Sequence, residues 1–264
     1  MVTARQIVER IKENVGCQWN DETVDTFKAG DPDALVSGVA TTFLATLDVL
    51  RRARADGLNF VIPHEPTFYH HRDDTTPLEG DPILAAKRAF IEEAGLVIWR
   101  FHDHWHRRDP DGILEGVAEA LGWKPYQRED VQACFDLPPT TVGELASKAA
   151  SVLRSHAPRI VGDPGMAVSR VALIPGAAPS RLQLQLLQRG DVEVLVAGES
   201  REWETVEYVR DAVAMGRKKA LVLLGHAASE EAGMAHLARW LASFVTEVPV
   251  RFVAAGSPFA NWRP

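Results

Sequence analysis

The 264-residue chain holds two cysteines, Cys17 and Cys134, and they are too far apart in sequence to suggest a thiolate metal site or a disulfide framework. Both are expected to be reduced and structural, in a cytoplasmic protein. No run of about 18 apolar residues occurs, so no transmembrane helix is expected. The opening MVTARQIVERIKENVG carries charges throughout, where a signal peptide needs an uninterrupted apolar core. Basic runs are scarce as well: the net charge is −7, acidic residues are spread along the chain, and RRARAD and GRKKA are read as solvated helix faces or ends. Such a surface gives a nucleic-acid backbone no electrostatic footprint, and neither nucleic acid nor membrane is expected as a partner. The G-x-S-x-G elbow, the P-loop and the Rossmann glycine fingerprint are absent, which removes the usual signatures of a serine nucleophile and of nucleotide binding. No short-period repeat appears, so solenoids are excluded.

What remains is an ordinary globular composition, 46% hydrophobic and 25% charged, long enough for one large α/β domain or two lobes. Ile7, Ile11 and Val15 predict a first helix ending near Gly16. ALVSGVATTF alternates like a strand, LATLDVLRRARADG reads as a helix, and LNFVIP is an apolar run of strand length. A strand, helix, strand unit of this kind predicts a parallel sheet. DPILAAKRAFIEEAG then reads as a helix with Pro82 in its first turn, LVIWRFH as a strand and GILEGVAEALG as a helix. Further helices are expected in TTVGELASKAASVLRSH, SRLQLQLLQRG, REWETVEYVRDAVAMG and SEEAGMAHLARWLASF. Strands are expected in RVALIPG, VEVLVAG, KALVLLG and VPVRFVAA. The prediction is an α/β protein of two intertwined halves of similar plan, 1–128 and 129–264, meeting around PYQRED.

Six of the nine histidines fall in two short stretches, FVIPHEPTFYHHRDD with His64, His70 and His71, and FHDHWH with His102, His104 and His106. Ligands in open α/β sheets sit beyond the carboxyl ends of the strands. His64 and Glu65 follow one predicted strand, His102 to His106 end a second, Glu199 follows a third and His226 a fourth, which suggests one convergent site. In GHAASEE, His226 and Glu230 stand four apart at a helix start, so both side chains can reach one metal; helix capping and surface exposure is the competing reading of that pair alone. On a strand, His102, His104 and His106 would share one face with Asp103 opposite, an alternation that fails if the strand breaks after His102. A metal or proton-transfer role for this run stands beside a structural one. His70 and His71 lie farther along their loop and read as surface histidines. Trp99 and Trp105 flank the histidine run as packing residues, with Trp105 also suited to wall a pocket.

The order of these motifs resembles the NIF-three-like family, named after the yeast NGG-one interacting factor three and also called dinuclear metal centre hexameric proteins or type-two GTP cyclohydrolase homologues. The resemblance runs over nearly the whole chain. It is carried by VSGVATTFLATLDVLRRARADGLNFVIPHEPTF, RFHDHWHRRDPDGILEGVAEALGW, VEVLVAGESREWETVEYVRDAVAMG, LLGHAASEEAGMAHLARWL and VPVRFVAAGSPF. It implies that His64 and His226 are metal ligands and that Glu230 is the carboxylate helping to join two metals. Glu65 stands where a second histidine is usual and His106 where an aspartate is usual, so the total of three histidines and two carboxylates is kept. The implied cofactor is two divalent ions of zinc, iron, manganese, cobalt or nickel. Glu199 matches the family's Gly-Glu motif and lines the pocket, with His102 a partner of a ligand. Together these imply a metal-dependent hydrolase or cyclohydrolase-like enzyme acting on a small molecule, in which Glu199, His102 or His104 moves protons. The rival is a metal-binding regulatory or protein-interaction protein without turnover. A homohexamer, a trimer of dimers, is implied in either case.

Overall fold

A computed structural model describes residues 1–259. It divides into two compact units, one of Met1–Gly112 with Gly233–Ala255, the other of Ile113–Ala232 with residues 256–259. The first division thus falls after Gly112, earlier than the expected 128, and the chain returns to its first unit at Gly233.

The first unit is built on a five-stranded sheet in the order β1-β4-β3-β2-β10. Its strands are β1 (Phe27–Ala29), β2 (Val39–Thr42), β3 (Phe60–Pro63), β4 (Val97–Trp99) and β10 (Val250–Phe252). β10, β2, β3 and β4 run parallel, and β1 closes the edge antiparallel to β4. Every residue of β2 and β3 is buried. Interior parallel strands are covered on both faces, so the alternation read in ALVSGVATTF is not used and the strand is the four buried residues Val39–Thr42.

Helices cover this sheet because their starts are fixed and one stripe is apolar. α1 (Ala4–Asn14) begins in a capping box between Thr3 and Gln6 and buries Ala4, Ile7, Val8 and Ile11. α2 (Leu47–Ala55) is capped by Thr46, whose side chain accepts the Val49 N–H, and buries Val49, Leu50 and Ala53. α3 (Pro82–Glu93) starts on Asp81, which accepts the N–H groups of Ile83 and Leu84, with Pro82 where no donor is needed. Leu50, Leu58, Val61, Leu96 and Ile98 meet in the core beneath them, each worth about 2 kcal/mol of burial.

The histidine run departs from the expected strand. β4 stops at Trp99, the backbone N–H of Phe101 still reaches Pro63 O at 3.0 Å, and the chain then turns into a short helix, α4 (Asp103–Arg107). α5 (Gly112–Ala120) follows. A Cβ on Gly112 would sit 2.1 Å from the buried Trp105 ring, so a side chain there would drive the ring out. Trp105 is therefore a packing residue, lying 5.2 Å from the Trp240 ring.

The second unit repeats the plan with strand order β5-β7-β8-β9-β6. β7 (Ala167–Ile174), β8 (Val194–Ala197) and β9 (Ala220–Leu223) are parallel, flanked by antiparallel β5 (Cys134–Thr141) and β6 (Arg159–Val161). β1, β5 and β6 had no counterpart in the sequence reading. α6 (Val142–Leu153) opens in a second capping box, Thr141 with Glu144. α7 (Ser180–Gln188) follows β7. The expected helix in REWETVEYVRDAVAMG is a π-helical turn, Glu202–Val206, running into α8 (Glu207–Ala214). α9 (His226–Ala242) starts directly on His226, earlier than SEEAGMAHLARWLASF suggests. Among the described residues, no helix is long and apolar enough to cross a membrane.

Candidate metal centre

His64 is the first residue beyond β3. Its N–H donates to Thr42 O at 3.0 Å and that of Glu65 to Phe43 O at 2.9 Å, so the ladder with β2 runs on and aims the two side chains differently. The His64 side chain is fully buried, while Glu65 turns to Arg100, just beyond β4. The Arg100 guanidinium is itself buried and donates to His64 O at 2.8 Å, to His71 O, and to Glu65 Oε2 at 3.3 Å. A buried charge stripped of partners costs on the order of several kcal/mol, so this cation holds the His64 carbonyl and the Glu65 carboxylate in place.

Three imidazoles meet here. The ring centroids of His64, His102 and His106 lie 4.5 to 5.0 Å apart, and one nitrogen from each falls within 4.8 Å of the others. His64 Nδ1 is 3.1 Å from Phe101 O, His102 Nδ1 is 2.9 Å from Asp103 Oδ1, and His106 Nδ1 is 2.8 Å from Asp111 Oδ2. A carbonyl and two carboxylates accept and do not donate, so each Nδ1 carries a proton and Nε2 is the nitrogen turned to other partners. His64 Nε2 and His106 Nε2 face one another at 3.1 Å. Burial holds His64 well below the ordinary imidazole value, and His102 and His106 push it the same way. The hydrogen bond from His102, with those from Thr23 and the Val24 N–H, keeps Asp103 well below the usual carboxylate range despite its burial. The three imidazoles could hold a metal ion, and Glu65 Oε1 lies 3.9 Å from His102 Nε2.

His104 goes elsewhere. Because α4 is helical, residues four apart share a face, which joins His102 with His106 and turns His104 inward. The alternation expected for His102, His104 and His106 on one strand face therefore does not occur. His104 Nδ1 donates to Asp25 Oδ2 at 2.7 Å, its Nε2 accepts the Asn20 N–H at 2.9 Å, and the Trp19 ring stacks on it at 3.7 Å. With both nitrogens engaged and no exposure, His104 serves the fold. Asp25 also accepts the N–H groups of His102, Asp103 and His104 at 2.6 to 3.0 Å, satisfying the start of α4. His70 and His71 are exposed, as the sequence suggested.

In the second unit the strand ends carry a smaller constellation. His226 opens α9 and its Nε2 lies 3.1 Å from Glu230 Oε2, one helical turn on; Glu230 is buried. Glu199, two residues past β8 and half exposed, brings Oε1 to 3.9 Å from His226 Nδ1. Gly176, just past β7, has a φ of +70°, and a Cβ there would fall 2.0 Å from Glu230 Oε1 and 3.4 Å from His226 Nε2. Ser229 Oγ accepts the Gly176 N–H at 2.9 Å and donates to His226 O at 2.8 Å, tying that turn to α9. Gly176 keeps open the space in front of the two donor groups.

Residues 2–257 match the family described as Duf34/NIF3 (NGG1p interacting factor 3). The chain belongs to the Duf34/NIF3 family. A Bacillus cereus protein related to NIF3 shares its fold with a TM-score of 0.79 at 14% identity, over 99% of each chain. Protein SA1388 of Staphylococcus aureus does so with a TM-score of 0.76 at 16% identity, again over 99% of each chain. Reduced HcgD from Methanocaldococcus jannaschii aligns with a TM-score of 0.64 at 13% identity, covering 96% of this chain and 97% of that one. No curated protein sequence matches. The imidazoles of the first unit, each anchored through Nδ1 to an oxygen acceptor, fit a metal ion chemically. Sequence reasoning singled out His64, Glu65, His102, His106, His226, Glu230 and Glu199 at these places, but missed Asp25, Arg100, Asp111 and Gly176. Of these only Gly176, a glycine directly after a strand, left a readable signal.

Proposed function

We propose that this NIF3-family chain is a dinuclear metal-binding protein acting as a metal-dependent hydrolase or cyclohydrolase-like enzyme on a small molecule. In this reading His64, Glu65, His106, His226 and Glu230 supply the ligands for two divalent ions, zinc, iron, manganese, cobalt or nickel. The observation that carries it is the Nε2 pair of His64 and His106, facing at 3.1 Å with both Nδ1 protons committed elsewhere. Two imidazole nitrogens at that distance are joined by a shared proton, and in this reading a metal ion takes the proton's place. When bound, a metal pair polarises a carbonyl or phosphoryl oxygen and acidifies water. The chain's own contribution is to hold the donor atoms in fixed tautomers through Phe101 O and Asp111, and to offer Glu199 and His102 for proton movement. The cytoplasmic setting and the homohexamer belong to the same proposal and rest on the family resemblance.

The test is elemental analysis of protein purified without chelator, followed by hydrolysis assays on the metal-loaded protein with nucleotide, phosphoester and cyclic amide substrates. Two equivalents of a transition metal and a turnover abolished by Glu230→Ala support the reading. Turnover that survives Glu230→Ala removes the catalytic claim, and metal binding without turnover leaves the regulatory alternative.

A further inference from the structure

The three imidazoles of the first unit carry the metal reading further. His102 repeats the pattern of His64 and His106: its Nδ1 proton is committed to an oxygen, here Asp103 Oδ1 at 2.9 Å, and the residue offers a nitrogen within 4.8 Å of one from each of the other two rings. A residue positioned solely to move protons needs no such match to its neighbours, whereas metal-ligating histidines are commonly anchored in this way.

We infer that His64, His102 and His106 together form a three-imidazole site for one transition-metal ion within the first unit, with His102 a direct ligand. This rests on the reading above that the chain binds metal, and it takes His102 out of the proton-moving role. Two nitrogens on a tetrahedral ion at a bond length of about 2.0–2.1 Å lie about 3.3 Å apart, close to the 3.1 Å between His64 Nε2 and His106 Nε2. Charge is balanced nearby, since Asp103 and Asp111 hold two of the rings. Glu65 is drawn toward Arg100, at 3.3 Å, and so partners the guanidinium while remaining 3.9 Å from His102 Nε2. The exchange of an imidazole for Glu65 and of a carboxylate for His106 thereby concentrates nitrogen donors on one ion. Such a set favours zinc, cobalt, nickel or copper over magnesium, calcium or manganese.

The experiment loads the full chain, freed of metal by chelator, with one equivalent of Cu²⁺ and counts the bound imidazoles from the spin-echo modulation of their remote nitrogens. Zn²⁺ affinity is measured in parallel by calorimetry. Three imidazoles are expected in the wild type and two in His102→Gln, with the first Zn²⁺ bound at least about tenfold more weakly in the variant. His70→Gln, a change at an exposed histidine, is expected to leave both readings unmoved. Two imidazoles in the wild type, or a first Zn²⁺ affinity that His102→Gln does not change, overturns the inference and leaves the metal-binding reading intact. Failure to bind either ion overturns both. Should His102→Gln not fold, the wild-type imidazole count still decides.

Discussion

Asp25 and His104 are sealed from solvent together, the carboxylate Oδ2 accepting the imidazole Nδ1–H at 2.7 Å. Through the same carboxylate Asp25 gathers the N–H groups of His102, Asp103 and His104, so a residue absent from every metal-ligand set fixes the start of α4, with His102 at its N-cap and His106 within it.

Asp25→Asn places an amide donor among four donors. It is expected to destabilise the protein by about 2–4 kcal/mol in urea unfolding, because buried donors lose a charged acceptor. Zn²⁺ affinity should fall with it, since His102 and His106 lose their common frame.

Gly176→Ala tests the cleared space in front of Glu230. The positive φ and the 2.0 Å approach to Glu230 Oε1 both oppose a methyl group. A loss of about 2 kcal/mol in thermal or urea unfolding is expected, with the Glu230 carboxylate displaced in a crystal structure of the variant.

Acid stability depends on Glu193. Burial pushes its carboxyl up, but Lys218, the N–H groups of Ser169 and Arg170, and the Arg170 guanidinium outweigh it and hold the group at about 2. The unfolded chain, with an ordinary carboxyl, binds the proton first on acidification. Glu193 therefore contributes stability fully above about pH 4.5, and that contribution is lost as pH falls toward 2. Glu193→Gln should lower stability at pH 7 by about 1–2 kcal/mol, screening by the exposed Arg170 and Lys218 included, and flatten the acid limb of a urea stability profile. An unchanged acid limb would count against this assignment.

Metal and stability are linked. Zn²⁺ at about a hundredfold its Kd should stabilise the chelator-treated chain by roughly 2.7 kcal/mol, seen as a higher Tm that chelator reverses. His64→Ala should abolish most of that shift, while His70→Ala should leave it.

Much of the fold was legible because long elements carried strong periodicity and explicit caps: α1, α2, α3 and α6 start on Thr3, Thr46, Asp81 and Thr141. The three unread strands are edges of a sheet. β1 and β6 are three residues long, and β5 carries Pro138 and Pro139 at the interruption of its pairing with β7, where missing donors are tolerated. At the site, the motif residues were readable as types at strand ends, but not the local period of FHDHWH. A strand would have grouped His102, His104 and His106. The helix pairs His102 with His106 instead, because Asp25, 77 residues from His102, satisfies the helix start. No local pattern announces a cap supplied from that distance.

The place of β10 has a consequence for synthesis. Strands β5 to β9 have all been synthesised by residue 223, whereas β2, paired with β3 on one side, lacks its second parallel neighbour until Val250–Phe252 is made. The sheet whose strands begin first is therefore the last to be completed. Until then the nascent chain carries a bare β2 edge, an opening for strand addition by other chains, and truncation before Val250 would leave that edge permanently available for aggregation.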